Sequence, residues 1–195
     1  MRDRGLVIAI SGPPGSGKST LASALAKELG LRHHSTGAIF RRIASDRGVS
    51  VEELDRIAES DPSIDLMIDS IAKREAMKGG VVVEGHIATW MVKEYADLLV
   101  YVTAPIEIRA ARVAARDGIS LEEARRRIEA REGSMRRRFK ALYSIDINDL
   151  NIHDIVINTW RISVDAMVRI VLTVITEIMR IRNDRIFSST SLQDR

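Results

Sequence analysis

The fold of this chain is decided near its start, by the stretch Gly12-Pro13-Pro14-Gly15-Ser16-Gly17-Lys18-Ser19-Thr20. An apolar run over residues 6–10 precedes it, and an alanine- and leucine-rich segment over 21–29 follows it. This order predicts a buried parallel strand, a tight loop and a helix. In that context, a Gly-x4-Gly-Lys-Ser spacing is typical of a loop whose backbone N–H groups surround a chain of phosphates.

The loop therefore predicts how a nucleoside triphosphate is held. Glycine allows the backbone to approach the phosphates closely. Lys18 is expected to reach the β and γ phosphates, and the Ser19 hydroxyl to help hold Mg²⁺. A loop that binds nucleotide without catalysing a reaction is the alternative. The predicted triphosphate-binding residues are Gly12, Pro13, Pro14, Gly15, Ser16, Gly17, Lys18, Ser19 and Thr20.

Length and composition set further limits. The 195 residues suffice for one α/β domain with a small insertion, and the net charge is only +3. The chain has no cysteine, which excludes disulfides and thiolate metal sites. Residues 1–4 lead directly into the first strand without a leader, and no apolar run reaches membrane-spanning length. We expect a cytoplasmic monomer that binds no membrane.

Strand and helix patterns alternate along the rest of the chain. Three short apolar runs at 81–86, 98–103 and 155–159, and a short segment at 31–34 after Gly30, add four strands to the first, with helical segments between them. This pattern predicts an α/β fold of the P-loop NTPase type, with a five-stranded parallel sheet between two helical layers. We expect a single domain over residues 1–181, with a helical insertion at about 36–80, an arginine-rich lid at about 120–143, and a mobile tail over 182–195.

Polar residues at the ends of the second and third strands predict an acceptor side. Ligands of parallel sheets lie outside the carboxyl ends of the strands, so Thr36, Gly37 and Arg41 should face the cleft. Glu84 follows three valines and could order water around Mg²⁺ or contact the acceptor. A solvent-facing glutamate at a strand end is the alternative. His86 follows the same strand, and we expect it near the acceptor.

Arginines crowd the segment 125–138. Such a cluster could contact nucleic acid, but no aromatic platform accompanies it, and a lid that closes over phosphates explains it better. Gly133 interrupts the segment and suggests a hinge between two parts of the lid. The pattern leaves open whether Arg109, Arg112 and Arg116 face nucleotide or solvent. His153 is expected at the surface.

Several segments taken together resemble the archaeal-type cytidylate kinases, in the same order over roughly residues 5–180. The phosphate loop alone is shared by many nucleotide-binding proteins, whereas the Ser-Thr-Gly-x-x-Phe-Arg and Asp-Ile-x-Asp segments point to this family more narrowly. The segments that carry the resemblance are Gly12 to Thr20, Ser35 to Arg41, Glu84-Gly85, Tyr143 to Leu150, and Ile155 to Thr159.

The resemblance implies a Mg²⁺-dependent nucleoside monophosphate kinase that converts ATP and CMP or dCMP into ADP and CDP or dCDP. It implies that Thr36, Gly37 and Arg41 hold the CMP phosphate and that Arg131 and Arg138 close over the transferred group. With Lys18, these two arginines are the predicted catalytic residues; Glu84 and His86 complete the predicted acceptor site. The chain departs from the family pattern by carrying His86 for an arginine, Thr89 for a glycine, Gly133 for an acid and Phe139 for a tyrosine.

Other classes of function share parts of this pattern. An adenylate, uridylate or shikimate type of kinase would keep the phosphate loop and change the acceptor pocket. A non-catalytic ATP-binding regulator would use the arginine cluster on RNA, with a steep salt dependence. An acceptor panel with ATP separates these classes.

Overall fold

A five-stranded parallel sheet forms the centre of the molecule. The computed structural model describes the backbone of residues 5–190 and the side chains of residues 5–181. The strands are β1 (Val7–Ser11), β2 (Arg32–Ser35), β3 (Val81–Gly85), β4 (Leu98–Thr103) and β5 (Ile155–Asn158), in the spatial order β2-β3-β1-β4-β5. Every neighbouring pair is parallel. The predicted five-stranded parallel sheet is confirmed.

The helices are α1 (Lys18–Leu29), α2 (Thr36–Asp46), α3 (Val51–Ser60), α4 (Ser63–Lys78), α5 (Ala88–Val92), α6 (Ile106–Asp117), α7 (Leu121–Tyr143) and α8 (Val164–Thr190). Local signals set several of their starts. The Ser50 and Ser120 side chains accept hydrogen bonds from the N–H groups of Glu53 and Glu123, so α3 and α7 begin at capping residues. None of the described helices is both long and apolar enough to cross a membrane.

The central strands β1 and β3 are buried along their whole length because helices cover both faces of the sheet there. Alternate residues of β1 point to opposite faces: Ile8 and Ile10 pack with α1 and α8, and Val7 and Ala9 pack with α4, α5 and α7. These residues are fully buried. The two layers of core fix the carboxyl ends of β1, β3 and β4 at one edge, where the phosphate loop lies.

A separate small core holds the helices between β2 and β3. Phe40 and Ala44 of α2 pack against Leu54 of α3 and Ile64 of α4, all of them buried. The break between α3 and α4 falls at Asp61-Pro62, as the proline predicts. These helices are therefore a packed unit beside the sheet, in the segment where the sequence predicts an insertion.

The helices differ from the sequence predictions at two places, in the middle of α7 and at the end of α8. Gly133 does not interrupt α7, which runs unbroken through it because its neighbours Ser134 and Met135 are buried and hold the turn in place. The sequence places the end of the domain at about residue 181, but α8 continues to Thr190. The mobility expected for 182–195 stays a prediction, and residues 191–195 lie outside the described part of the chain.

Because α7 is continuous at Gly133, replacing this glycine by alanine is expected to stabilise the protein by about 0.5–1 kcal/mol. A Cβ at this position would meet only the flexible end of Arg137, at 3.5 Å. Urea unfolding of the Gly133→Ala variant measures the gain. A lower stability, or a lower kcat at unchanged stability, would restore the hinge interpretation.

Candidate active site

The phosphate loop connects β1 to α1 and is shaped by its glycines. Gly15 and Gly17 have φ angles of +76° and +93°, a left-handed conformation that favours glycine. A Cβ on Gly12 would lie 2.2 Å from the Val102 carbonyl oxygen, so no larger residue fits there. No side chain caps α1 at Gly17, and its first N–H groups remain available to an anion.

Lys18 stands at the start of α1 as a buried cation. It is 9% exposed, and its Nζ donates to the Pro13 carbonyl oxygen at 3.4 Å. Burial lowers its pKa from 10.5 to about 8, while Glu84 opposes that shift and Arg131 and Arg41 add to it. A desolvated ammonium with one long hydrogen bond gains strongly from an approaching phosphate.

Ser19 and Glu84 form the predicted magnesium side of the site. The Ser19 hydroxyl donates to Glu84 Oε1 at 2.9 Å, and the Ser35 hydroxyl donates to the same oxygen. Glu84 Oε2 is buried without a hydrogen-bond partner. The described residues contain no cluster of three or more His, Cys, Asp or Glu that could hold a metal by themselves. One hydroxyl and one carboxylate with a free oxygen suit Mg²⁺, which usually keeps waters and phosphate oxygens as its other ligands.

A cavity of about 750 Å³ opens over the loop. It brings Lys18 and Ser19 together with acceptor-side residues from other elements, and it also reaches Arg112 and Arg116 of α6. The sequence-predicted residues that line it are Pro14, Gly15, Gly17, Lys18, Ser19, Thr20, Gly37, Arg41, Glu84, His86 and Arg131. Gly12 and Pro13 line a separate cavity of about 200 Å³ on the α7 side, and the hydroxyl oxygen of Ser16 is buried.

A small cavity of about 30 Å³ lies beside the large one. Gly37, His86 and Arg131 line both cavities, so the two meet at these residues. Thr36 and Arg138 line the small cavity and not the large one. Its walls are mostly apolar and aromatic, and its lining is completed by Phe40, Asp65, Ile68, Asp69, Ile87, Met135 and Phe139.

His86 lies at the junction of the cavities. Its Nδ1 is 3.2 Å from the Gly12 carbonyl oxygen, which can only accept, so Nδ1 carries the proton and donates. Burial lowers the pKa of His86 well below its usual range, and the positive charges of Lys18 and Arg131 lower it further. His86 is therefore neutral at pH 7, whereas the arginine of the family pattern would be charged.

Arg131 and Arg138 of α7 are held by carboxylates of α3 and α4. Arg131 Nε is 3.4 Å from Asp55 Oδ2, and Arg138 contacts Asp55 Oδ1 at 3.2 Å and Asp65 Oδ2 at 3.3 Å. Both guanidinium groups lie over the Phe40 ring, at 5.4 and 5.7 Å from its centre. Burial raises the pKa of Asp55 and Asp65, and the arginines counter that shift. These contacts dock α7 onto the insertion helices.

The polar end of the small cavity contains atoms without hydrogen bonds. Asp65 Oδ2 and Arg138 Nε are buried and lack hydrogen-bond geometry with any described residue. Beside them, the Tyr143 hydroxyl donates to Asp69 Oδ2 at 2.6 Å, and burial raises the pKa of Asp69 to about 6. A buried acceptor next to a buried donor suits a ligand edge that offers the complementary pair.

Sequence reasoning left the α6 arginines undecided, and the structure assigns two of them to the phosphate loop. Arg109 Nη1 donates to the Pro14 carbonyl oxygen at 3.2 Å, and Arg112 Nη1 donates to the Gly15 carbonyl oxygen at 3.2 Å. Arg112 also donates to Thr159 Oγ1 at 2.8 Å, and that hydroxyl donates to the Ser16 carbonyl oxygen at 2.7 Å. The spacing of 109 and 112 on one helix face was the available signal.

Sequence reasoning also missed the acids at Asp55, Asp65 and Asp69. Each acid directly follows a buried apolar residue of its helix, and all three acids are themselves buried. A carboxylate at an inward position of an amphipathic helix was the signal, because a buried acid requires a partner.

The sequence predicts His153 at the surface, but in the structure its side chain is half-buried. Its ring packs 4.9 Å from Trp90 and 5.0 Å from Tyr101, measured between ring centres. Its Nε2 lies 2.9 Å from Thr89 Oγ1, which donates to the Ser11 hydroxyl at the end of β1. Thr89, which replaces a glycine of the family pattern, therefore joins His153 to the strand that leads into the phosphate loop.

Comparisons with known proteins agree on the family and the fold. The model of the cytidylate kinase-like family matches residues 7–161. The cytidylate kinase of Staphylothermus marinus is 49% identical over 85% of this chain and 94% of its own length. That of Ignicoccus hospitalis is 51% identical over 83% of this chain and 94% of its own length. Altogether, 125 curated proteins match this chain.

Solved structures resemble the chain at lower identity. Shikimate kinase from Acinetobacter baumannii, in complex with shikimate, superposes with a TM-score of 0.59 at 15% identity, over 88% of this chain and 93% of that one. This likeness concerns the fold alone, and it confirms the predicted P-loop three-layer α/β/α class.

Proposed function

The chain belongs to the cytidylate kinase-like family, and from that premise we propose that it transfers the γ-phosphoryl group of ATP to CMP or dCMP, giving ADP and CDP or dCDP. The observation that carries the proposal is the meeting of two cavities at Gly37, His86 and Arg131. One cavity has the loop and cation of a triphosphate site, and the other is a narrow pocket with an aromatic wall and a polar end. This arrangement supports transfer from a triphosphate to a small nucleotide.

In the proposed reaction, an oxygen of the acceptor phosphate attacks the γ-phosphorus while the bond to the β-phosphate oxygen breaks. The acceptor phosphate is already ionised at neutral pH, so no general base is required. Lys18 and the loop amides stabilise the charge that develops on the transferred group and on ADP. Ser19, together with waters ordered by Glu84, would hold Mg²⁺, which would supply further charge neutralisation.

The residues at the junction of the cavities position the two phosphates. Arg131 lines both cavities and can contact the transferred group, and Arg41 of α2 lines the large cavity on the acceptor side. Because Nδ1 of the neutral His86 ring donates to the Gly12 carbonyl oxygen, Nε2 carries no proton and can only accept a hydrogen bond, so His86 offers no donor to the acceptor phosphate. Closure of this site excludes water that would otherwise hydrolyse ATP.

The small cavity provides a physical basis for choosing cytosine. The pyrimidine edge of cytosine offers an amino donor beside a ring-nitrogen acceptor, and Asp65 and Arg138 offer an acceptor beside a donor. Uracil would place a carbonyl oxygen against the Asp65 carboxylate. Opening of the ion pair between Asp65 and Arg138 would admit the base, with Phe40 and Phe139 in reach for stacking.

The function is tested by ADP release from ATP with CMP, dCMP, UMP, AMP and shikimate. We expect turnover with CMP and dCMP well above the others. Turnover of AMP or shikimate in place of CMP would assign another kinase class, and no turnover with any acceptor would leave an ATP-binding regulator.

In the same panel, the Asp65→Asn variant is expected to lose about tenfold to hundredfold in the ratio of kcat/KM for CMP over UMP. The amide can donate to the uracil carbonyl, and it leaves Arg138 paired with Asp55. Glu59→Gln is the matched control, because Glu59 is a carboxylate of α3 that pairs with Arg137 away from the small cavity. An unchanged ratio in Asp65→Asn would remove Asp65 from base selection.

Membership of the cytidylate kinase-like family supports a small nucleotide as the partner of this chain. A monomeric state, cytoplasmic location and the absence of nucleic-acid and membrane partners stay predictions of the sequence.

A further inference from the structure

Arg109 is a buried charge without a place in the proposed chemistry. It is 8% exposed, and its Nε donates to the Ala104 carbonyl oxygen at 3.0 Å. Its Nη1 donates to the Pro14 carbonyl oxygen at 3.2 Å and forms an ion pair with Glu132 of α7. Burying an ion pair costs much of what its attraction returns, and apolar residues of similar volume often stabilise a fold as well. Stability alone therefore explains Arg109 poorly.

The backbone around Arg109 lies directly against the phosphate loop. A Cβ on Gly15 would lie 2.7 Å from the Arg109 carbonyl oxygen and 3.0 Å from its Cα. The contact is thus between main chains, and the guanidinium only has to span a short distance to Pro14. In a trans peptide unit the C=O and the following N–H point in opposite directions. Holding the Pro14 carbonyl toward α6 turns the Gly15 N–H away from α6.

Glu132 connects Arg109 to α7. It follows Arg131 on α7, and successive residues of a helix point about 100° apart. Glu132 reaches back to Arg109 while Arg131 lines the large cavity. Because α7 is an unbroken helix, fixing the Glu132 carboxylate also fixes where the Arg131 side chain begins.

The opposite side of Arg131 is tied to the acceptor side by Asp55. The Arg109–Glu132 pair ties α7 to the triphosphate side, at Pro14. Arg131 therefore lies between two anchors, one for each half of the site. A misplacement of a catalytic group by about 1 Å can cost about a hundredfold in rate.

We propose that Arg109 is a positioning residue for phosphoryl transfer, which acts by joining the Pro14 carbonyl of the phosphate loop to Glu132 and thereby places Arg131. The inference rests on the proposed function. In this proposal, Arg109 itself does not contact the substrate.

The test compares Arg109→Met, Glu132→Gln and the double variant by steady-state kinetics with ATP and CMP, and by calorimetry of ADP binding. We expect kcat to fall about tenfold in each single variant, with KM for CMP unchanged and ADP affinity lowered severalfold in Arg109→Met only. The double variant should be no slower than Arg109→Met, because both changes break one connection. Arg109→Lys should recover part of the kcat.

Arg125→Met is the matched control, since Arg125 is an exposed arginine of α7 that pairs with Glu129 on its own helix. Unchanged kcat in both single variants, or losses that multiply in the double variant, would overturn the proposal. A merely structural role would lower the Tm and the active fraction without changing kcat per folded enzyme. If Arg109→Met does not fold, the milder Glu132→Gln decides by its kcat.

The failure of the proposed function would be seen separately. Wild-type protein that turns over no monophosphate rejects the kinase assignment, and the ADP affinities then decide whether Arg109 positions the loop. Equal ADP affinity in wild type and Arg109→Met would overturn that part as well.

Discussion

Replacing Lys18 by alanine is expected to lower kcat for ADP formation by about a thousandfold while the fold is kept. Lys18 is the one buried cation that the structure places at the start of α1, on the wall of the large cavity. Its ammonium has only one long hydrogen bond to exchange for contacts with phosphate. Steady-state kinetics of the Lys18→Ala variant measures the loss, and near-wild-type rates would defeat the assignment of this loop.

Lys27→Ala is the matched control for this variant. Lys27 lies in the last turn of the same helix and is exposed. It should keep the wild-type kcat and KM, so that a general effect of removing a lysine from α1 is excluded.

Lys18 also makes the stability of the protein depend on pH. Its pKa is lowered from 10.5 to about 8, so the unfolded chain binds this proton more tightly than the folded protein does. The buried charge therefore destabilises the fold below pH 8, and the cost is relieved as the pH rises from about 8 to 10.5. Lys18→Met, which keeps the apolar stem, should raise Tm at pH 7 by about 2–4 °C for each 1 kcal/mol recovered. The gain should shrink toward pH 10.

Replacing Arg131 by alanine is expected to lower kcat at least about a hundredfold, with a smaller change in KM for ATP. Arg131 is the α7 arginine that lines both cavities, so it is placed to contact the transferred group. Asp55 keeps Arg138 as a partner in this variant, which protects the docking of α7. Single-turnover measurements with ATP and CMP separate the chemical step from nucleotide binding.

Arg137→Ala is the control that isolates the chemistry from the docking. Arg137 of α7 pairs with Glu59 of α3, so it joins the same two helices as Arg131 and Asp55 but is exposed. If Arg131 acted only by docking, the two variants would lose similar activity. Retained activity in Arg131→Ala would leave the phosphates to Lys18, Arg41 and the other arginines that line the large cavity.

Arg131 and Arg138 occupy different places along the cleft. The family resemblance implied that both close over the transferred group, and that shared role stays a prediction. The two residues are seven apart, nearly two helical turns, so they lie at different levels of α7. In the structure Arg131 reaches the large cavity, whereas Arg138 reaches only the small one. A spacing of seven residues places both arginines on one face of α7, but it does not show which cavity each side chain reaches.

The sequence by itself determined the sheet, the phosphate loop and the position of Lys18 and Ser19. These features depend on local rules: apolar runs bury as strands, glycines at 15 and 17 adopt a left-handed backbone, and a helix begins where the loop ends. The sequence also placed Glu84 at the carboxyl end of a buried parallel strand, which is the edge where ligands bind.

Only the tertiary structure decided which charges meet. Asp55 and Asp65 reach Arg131 and Arg138 across two helices, and Arg109 reaches Pro14 and Glu132 from a third. These partners are far apart in sequence, and no local propensity records them. They are chosen when the two core clusters fix the helices against the sheet, because a buried charge takes whichever opposite charge the packing brings within reach.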